Sequence, residues 1–335
     1  MDDSKNVGGF RRIASSKFGS ILGSMLGLIV LVLIFSVLSE PFRAVNNLVG
    51  ITLQVSIYGV LACGIAFVLI IGGAELSAGS TVGLSGIVLG LLLQKGMPTL
   101  PSFILVLLCG AFLGAFNGFL VTKMHLIPFI ATLGTQYMYR GFTYMLSAGT
   151  SISIRKVVSS EQTLEMLKNF GSGKLFGVIP MLTVVMFVFA VVVGIILSKT
   201  VLGRKIFATG SNVEAARLSG INTDRISIIA YAFSGIGAAL AGIMLTTRLL
   251  SAQPTAGTSY ELEGIAAAVI GGVSMMGGQG TISGAILGAF VVGVMRNGLN
   301  ILGVNSFVQQ VITGMIIIGA VYIDIMRRRR EAKRK

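Results

Sequence analysis

Long apolar tracts without charge dominate the residue pattern of this chain. Nine tracts of at least 16 residues contain no Asp, Glu, Lys or Arg: 18–39, 44–74, 76–94, 96–122, 124–139, 175–198, 226–247, 264–295 and 297–323. A helix crosses the hydrocarbon core of a bilayer with about 20 apolar residues, so most tracts predict one span each. Tract 264–295 is too long for one straight helix, and GGVSMMGGQG interrupts it, which indicates two.

The tracts predict an all-α polytopic membrane protein of about ten spans. We place these spans near 18–39, 48–71, 80–94, 102–122, 127–147, 177–198, 226–247, 264–276, 281–302 and 306–325. Within the transmembrane domain 18–326, segment 149–175 is predicted to be external, and its sequence SEQTLEMLKNF favours a short amphipathic surface helix. The loop 199–225 is predicted to be cytoplasmic. Basic tails, 1–17 and 327–335, flank the domain.

Composition supports this class. The 335 residues are 54% hydrophobic and only 11% charged, whereas soluble domains carry roughly 25% charged residues. The net charge of +14 arises mainly from the termini and from the 199–225 loop. With ten spans these segments share one side with Lys123, and together they hold seventeen of the 26 basic residues. Positive residues stay cytoplasmic, so both termini are predicted to face the cytoplasm, and a lipid rather than a nucleic-acid partner is expected.

Two glycine-rich segments resemble each other. IGGAELSAGSTVGLSGIVLG (71–90) and IGGVSMMGGQGTISGAILG (270–288) each follow one predicted span and begin the next. Broken helices at matching places in two halves indicate a transport pathway, so an internal repeat is predicted. The alternative is a chance match between two glycine-rich segments. GxxxG pairs at 23/27, 86/90, 110/114/118 and 284/288 predict close helix packing.

The sequence lacks the signatures of several kinds of chemistry. It has one histidine, two distant cysteines (Cys63 and Cys109) and no GxSxG motif, so no metal centre or hydrolase triad is predicted. No GxxxxGK[ST] phosphate-binding loop is present either, which leaves no visible means of hydrolysing ATP. We therefore expect a transport subunit that is not itself an enzyme and binds no cofactor.

The polar stretch SNVEAARLSG (211–220) separates two predicted spans. Ser211 and Glu214 fit a capping box, Gly220 fits the left-handed position after a helix, and Arg217 can pair with Glu214. Ala215, Ala216 and Leu218 complete a helix of about two turns. A helix this short is marginal in water, so it must pack on something: a groove of another protein, or its own membrane bundle.

EAARLSG matches the EAA---G signature of the coupling loop in bacterial ABC importer permeases. The segments 72–80, 114–141, 203–226, 247–272, 277–289 and 297–304 closely resemble the ribose-type monosaccharide permease family, and the resemblance covers nearly the whole chain after the N-terminal tail. In two places the chain departs from the family by having Glu where the family has the shorter Asp: GGAELS replaces the family's GG-I-D-L-S, and YELEG replaces Y-E-L-D-A.

This resemblance implies a ten-span permease of the bacterial inner membrane that pairs with a second copy or a paralogue. It also implies a separate ATP-binding subunit that carries ATP and magnesium, commonly a fused double ATPase, and an extracytoplasmic sugar-binding protein. On this interpretation the helix from Glu214 to Gly220 couples the spans to the ATPase. A ribose-like pentose is the expected solute.

Polar residues inside or beside the spans are candidates for the pathway or for contact with the binding protein. They are Glu75, Asn117, Arg140, Gln253, Glu261, Glu263, Asn297 and Asn300. Each has a structural alternative: Thr258 and Glu261 fit another capping box, and asparagines in spans commonly bond helix to helix.

Three alternatives to a monosaccharide importer stay open. The same kind of importer can carry another small polar solute, such as inositol, a nucleoside or a quorum signal. A stand-alone secondary transporter or channel would need no ATPase. A membrane scaffold would need no broken glycine-rich segments.

Overall fold

The computed structural model describes residues 17–332 and is almost entirely helical. The helices are α1 (Lys17–Leu38), α2 (Glu40–Arg43), α3 (Val45–Ile70), α4 (Ala78–Gln94), α5 (Thr99–Thr122), α6 (Pro128–Ser147), α7 (Ile154–Val157), α8 (Glu161–Ser172), α9 (Met181–Lys199), α10 (Val201–Ser211), α11 (Val213–Leu218), α12 (Thr223–Leu249), α13 (Tyr260–Ile270), α14 (Ile282–Ile301) and α15 (Ser306–Ala332). Four two-residue strands form two antiparallel pairs: β1 (Ile152–Ser153) with β4 (Ser251–Ala252), and β2 (Lys174–Leu175) with β3 (Ile179–Pro180).

A helix lies at each of the ten predicted spans. Within the described residues, five helices are long and apolar enough to cross a membrane: α3, α5, α9, α12 and α14. The prediction of a span at 264–276 is wrong in its extent, because α13 covers only Tyr260–Ile270 and residues 271–281 are not helical. The basic ends 1–16 and 333–335 lie outside the described residues.

The core forms around α3 and α12. Every residue from Val55 to Ile70 of α3 is buried. Helix α12 packs antiparallel to both α3 and α5, with Gly64 opposite Ser234 and Gly114 opposite Tyr231. The predicted close packing is confirmed at the 110/114/118 and 284/288 glycines, where an added Cβ would meet a neighbouring helix. At the 23/27 pair an added Cβ would meet no other part of the described chain within 4 Å, so close packing there stays a prediction.

The two glycine-rich breaks end their helices in the same way. Gly72 and Gly272 have φ of +80° and +86°. The next residue in each case bonds back five positions: Gly73 N donates to Val68 O, and Val273 N donates to Ala268 O, both at 2.9 Å. Each glycine N–H also bonds back three positions: Gly72 N donates to Leu69 O at 2.9 Å, and Gly272 N donates to Val269 O at 2.8 Å. These two bonds at each helix end, with a left-handed glycine, are the Schellman arrangement. Superposing the two helix ends pairs Ile70 with Ile270, whereas the identical IGG letters pair Ile71 with Ile270. The two alignments differ by one residue, so the internal repeat stays a prediction.

Helices α4 and α13 start close together and run in opposite directions. The rings of Tyr260, the first residue of α13, and Tyr58, near the middle of α3, lie 4.9 Å apart. From there α13 follows the second half of α3, and Gly264 faces Leu61. Helix α4 instead follows the last part of α12. Both helices therefore begin beside the middle of longer helices and cover about half their length.

The 149–175 segment contains the predicted amphipathic helix, which is confirmed as α8. Ser160 caps it by accepting a hydrogen bond from Thr163 N at 3.3 Å. Its apolar side packs inward: Leu167 is buried, and Phe170 meets Phe103 of α5 edge to face at 5.1 Å. The β2–β3 hairpin follows and leads directly into α9.

Candidate functional site

The predicted coupling helix exists, but it is six residues long and is capped differently from the prediction. Helix α11 covers Val213–Leu218, and Asn212 caps it by accepting a bond from Ala215 N at 2.9 Å. The proposed capping box is wrong: Ser211 is the last residue of α10, and its hydroxyl donates to Phe207 O. Asn and Ser are equally good caps, and the helix 201–211 had not been predicted.

Arg217 joins α11 to the start of α12 and does not pair with Glu214. Its Nε donates to Thr223 Oγ1 at 2.8 Å, and its Nη2 lies 3.4 Å from Asp224 Oδ1. Asp224 also accepts from Lys123 Nζ at 2.7 Å, just after the end of α5. These partly exposed charges hold α11 beside the ends of two long helices.

The surface of α11 is mostly free of contact with the other described residues. Ala216 is buried against the bundle, but Glu214 and Ala215 are exposed, and Leu218 is 91% exposed. Gly220 has φ of +79°, as predicted for the left-handed position, and its N–H donates to Arg217 O at 2.9 Å. The chain therefore presents a short helix whose most exposed residue is apolar.

Gly210 of α10 connects this region to both glycine-rich breaks. A Cβ at Gly210 would overlap Ile70 O and would lie 2.8 Å from Gly278 N. Gly278 N itself donates to Ile70 O at 2.8 Å. The backbones of α10, the end of α3 and the 271–281 segment thus touch one another without an intervening side chain.

Glu75 is the centre of a buried polar cluster at the start of α4. It is 2% exposed, and its Oε1 accepts from Ser77 N at 2.8 Å and Ser77 Oγ at 2.7 Å. Asn117 of α5 donates to Glu75 Oε2 at 3.1 Å. A carboxylate is favoured at a helix N-terminus because the helix dipole is positive there. The geometry therefore gives Glu75 and Asn117 a structural role in anchoring α4 to α5.

Two tyrosines and a serine that sequence reasoning did not select border this cluster. Tyr139 OH donates to Leu113 O at 2.9 Å, and Tyr231 OH donates to Ala74 O at 3.0 Å. Ser234 Oγ is buried beside Glu75 and has no hydrogen-bond partner in the part of the chain that the structure describes. Hydroxyl groups inside apolar tracts were the available signal, because a buried hydroxyl normally needs a partner.

Arg140 of α6 holds the chain just before α13. Its Nη1 donates to Pro254 O at 2.8 Å and to Ala256 O at 2.7 Å. Gln253 lies at the start of this segment and is partly exposed. Glu261 is buried; its Oε1 accepts from Gln136 of α6 at 3.2 Å, and its Oε2 has no hydrogen-bond partner among residues 17–332. The predicted capping box of Thr258 and Glu261 is wrong, because Thr258 Oγ1 donates to Thr255 O instead.

Glu263 and Arg296 form an ion pair between α13 and α14. Arg296 Nη1 lies 2.9 Å from Glu263 Oε1 and 3.0 Å from Tyr58 OH. A cation within an apolar helix needs such a partner. The other two candidates make contacts between helices. The side-chain amides of Asn297 and Asn47 exchange two hydrogen bonds, at 2.9 and 3.0 Å, and Asn300 accepts a hydrogen bond from Gln309 at 2.8 Å.

The candidate residues therefore fall into separate groups and do not share one pocket. Residues 211–220 form an exposed surface beside the ends of α5 and α12. The Glu75, Glu261 and Glu263 groups lie at the starts of the short helices α4 and α13, where each is held by a donor from a different helix: Asn117, Gln136 and Arg296.

Comparison with known proteins identifies related chains over most of this length. The family model for the branched-chain amino acid transport system, permease component, matches residues 47–321. The chain is 41% identical over 303 residues to the ribose import permease protein of Bacillus subtilis, covering 90% of this chain and 92% of that protein. The ribose import permease of Escherichia coli K12 is 39% identical over 301 residues, with the same coverage of both chains.

A relative named for another sugar is also similar. The L-arabinose transport system permease protein of Escherichia coli K12 is 33% identical over 324 residues, covering 96% of this chain and 95% of that protein. No solved structure matches the chain. The family model spans far more than half of the chain, and the apolar helices agree with a protein that crosses the membrane several times. This chain belongs to the family of permease components of the branched-chain amino acid transport system type.

Proposed function

We propose that this chain is the membrane-spanning permease subunit of an ATP-driven, binding-protein-dependent importer of a monosaccharide, with a ribose-like pentose as its solute. The observation that carries this proposal is the similarity to ribose import permeases from different bacteria across nine tenths of the chain. The similarity includes both glycine-rich breaks and the 199–225 loop, because it spans nearly the entire length of each relative.

The proposed arrangement has ten spans and both termini in the cytoplasm of a bacterial inner membrane. The distribution of basic residues supports this orientation. The 199–225 loop then lies on the cytoplasmic side, where an ATP-binding subunit is found. We assign ATP and magnesium to that separate subunit, which in importers of this type is commonly a fused double ATPase.

Helix α11 is proposed to dock in a groove of the ATP-binding subunit. Support comes from its length and surface: six residues are too few for a stable isolated helix, and Leu218 projects into solvent. Ala216 and Arg217 fix the opposite side of the helix to its own bundle. Burial of the Leu218 side chain in such a groove would contribute about 1.5–3 kcal/mol to the free energy of binding.

The remaining partners follow from the same proposal. An extracytoplasmic sugar-binding protein would deliver the solute to the face opposite the 199–225 loop, and a second permease copy or a paralogue would complete the pathway. Gln253, Glu261 and Arg140 are proposed to lie near the entry, because they surround the partly exposed segment that leads into α13. This chain, which has no Trp and seven Tyr, would leave most of the sugar recognition to the binding protein.

The test is uptake of radiolabelled D-ribose by cells of the source organism with and without the gene for this chain. We expect uptake to be lost in the deletion strain and restored by the wild-type gene. Unlabelled L-arabinose and D-allose serve as competitors, because relatives carry these names. If ribose uptake is unchanged in the deletion strain and uptake of another sugar is lost, that other sugar is the solute and ribose is not.

The rival proposal, a stand-alone secondary transporter, requires a different experiment. The purified chain alone is placed in liposomes with an imposed ion gradient. Accumulation of sugar against its concentration without any ATPase would contradict the importer proposal. The expected result is no accumulation by the chain alone, and accumulation only when the ATP-binding subunit, the sugar-binding protein and ATP are added.

A further inference from the structure

The β2–β3 hairpin has a fixed base and a free tip. Its base is closed by the bond from Met181 N to Gly173 O at 2.9 Å, and Pro180 is buried. The turn is closed by Val178 N donating to Leu175 O at 3.2 Å, with Phe176 and Gly177 between them. An added Cβ at Gly177 would find nothing within 4 Å, so the tip stands clear of the rest of the described chain.

The tip combines exposed apolar side chains with an unfavourable backbone. Phe176 is 88% exposed although its φ is +52°, in the left-handed region. Turns in which both central residues have positive φ favour Asn, Asp and Gly, and no contact within the described chain compensates for an aromatic residue there. Leu175, Val178 and Ile179 are also exposed, at 37%, 58% and 44%. Such an apolar patch at a strained turn indicates a contact outside the chain.

The position of the hairpin identifies the partner. Helix α9 starts at Met181, directly after β3, and is one of the helices able to cross a membrane. Its outward face carries exposed Phe187, Val188 and Val191, which are suited to lipid. Two strand residues and a turn reach about 7–10 Å, comparable with the headgroup layer of one leaflet, about 5–8 Å thick. The tip therefore remains at the level of the bilayer interface.

We propose that the 174–179 hairpin is a lipid anchor whose Phe176 inserts into the interfacial layer of the bilayer beside α9. Phenylalanine, like tryptophan and leucine, is found on apolar faces that are buried at the boundary between headgroups and acyl chains. Lys174 is exposed at the first position of the hairpin, where its ammonium group can meet lipid phosphate. This inference rests on membrane insertion of the chain and does not depend on the solute or on an ATP-binding partner.

The chain contains no tryptophan, so a single introduced tryptophan reports on one position only. The test uses the full-length Phe176→Trp variant in lipid nanodiscs. We expect blue-shifted emission, strong quenching by lipids brominated near the headgroup end of the acyl chain, and weak quenching by aqueous acrylamide. Val178→Trp, on the same tip, provides a second reporter that does not place the new residue at a left-handed position.

Two controls give the emission and quenching expected of a tryptophan in water and of a tryptophan in lipid. Leu218→Trp places a tryptophan at a side chain of similar exposure, 91% against 88%, but on α11 in the 199–225 loop. Phe187→Trp places one on the outward face of α9. The anchor is supported if both hairpin variants match the Phe187 variant in acrylamide protection and are quenched by brominated lipid. It is overturned if they match the Leu218 variant, with water-like emission and no quenching by brominated lipid.

Discussion

Replacing Gly114 with alanine tests the packing on which the whole fold depends. Gly114 lies in the row of α5 glycines that faces α12. A Cβ at this position would overlap the carbonyl oxygen of Tyr231, and would lie 2.9 Å from Tyr231 C and 3.0 Å from Gly235 N. All three atoms belong to the backbone, so no change of side-chain rotamer can relieve the overlap. The two helices must separate.

The cost can be estimated from this geometry. Relief of the overlap requires a local separation of about 1 Å, and a gap of that size removes a quarter to a half of the dispersion energy of the contacts it opens. Overpacking a well-packed core typically costs about 1–3 kcal/mol. Because the obstruction is entirely backbone, we expect an overlap cost at the upper end, about 3 kcal/mol, of which the higher helix propensity of alanine offsets about 1 kcal/mol. The net loss of about 2 kcal/mol is roughly a thirtyfold decrease in the ratio of folded to unfolded protein.

The assay follows thermal unfolding in detergent with a thiol-reactive fluorophore. Cys63 is fully buried and Cys109 is partly buried, so both become more reactive when the helices separate. Gly27→Ala is the matched control, because Gly27 belongs to a GxxxG pair but a Cβ added there would meet no other part of the described chain within 4 Å. Alanine exceeds glycine in helix propensity by about 1 kcal/mol, so this control should unfold at the wild-type temperature or above. Equal unfolding temperatures for the two variants would refute the packing argument.

Three other predictions concern the loop and the buried acids. Gly220→Val places a β-branched residue at φ of +79°, so sugar-stimulated ATPase activity of the assembled importer should fall at least about tenfold. Gly220→Asn should retain most of this activity. Equal activities of the two variants would contradict the requirement for a left-handed residue at position 220. Glu263→Gln leaves Arg296 without its anionic partner and should destabilise by about 1–3 kcal/mol, and adding Arg296→Met should recover part of the loss; strictly additive effects in the thermal assay would exclude the pair. Asn117→Leu removes a donor from buried Glu75 at a similar cost, and an unchanged unfolding temperature would argue against the anchoring role.

Hydropathy located the helices well because charge is costly in the hydrocarbon core. The ten helices lie close to the predicted tracts, and both glycine-rich breaks are present. The exception is α13, which covers only Tyr260–Ile270. Its tract continues through Gly271 and Gly272 into an apolar loop, and hydropathy cannot distinguish a buried loop from a helix. Only the backbone bonds after Gly272 mark where the helix ends.

The caps and the partners of the acids were harder to predict from sequence. Ser211 and Asn212 are adjacent and equally suited to capping, so the choice depends on whether the preceding residues are helical. Glu75 meets Asn117, and Glu263 meets Arg296, across 42 and 33 residues. Which residues face one another depends on the rotation of each helix about its axis, and a single sequence does not specify that rotation.

The bare backbone junction at Gly210 has a mechanical consequence. Long side chains act as compliant spacers, since a change of rotamer can absorb a small shift of one helix against another. At Gly210 there is no such spacer between α10 and Ile70 O or Gly278 N. A displacement of the α10–α11 unit toward these atoms by more than a few tenths of an ångström must therefore be accompanied by movement of the end of α3 and of the 271–281 segment. A force that pushes the 199–225 loop toward this junction is therefore transmitted to both interrupted helices at the same time, with little relative displacement.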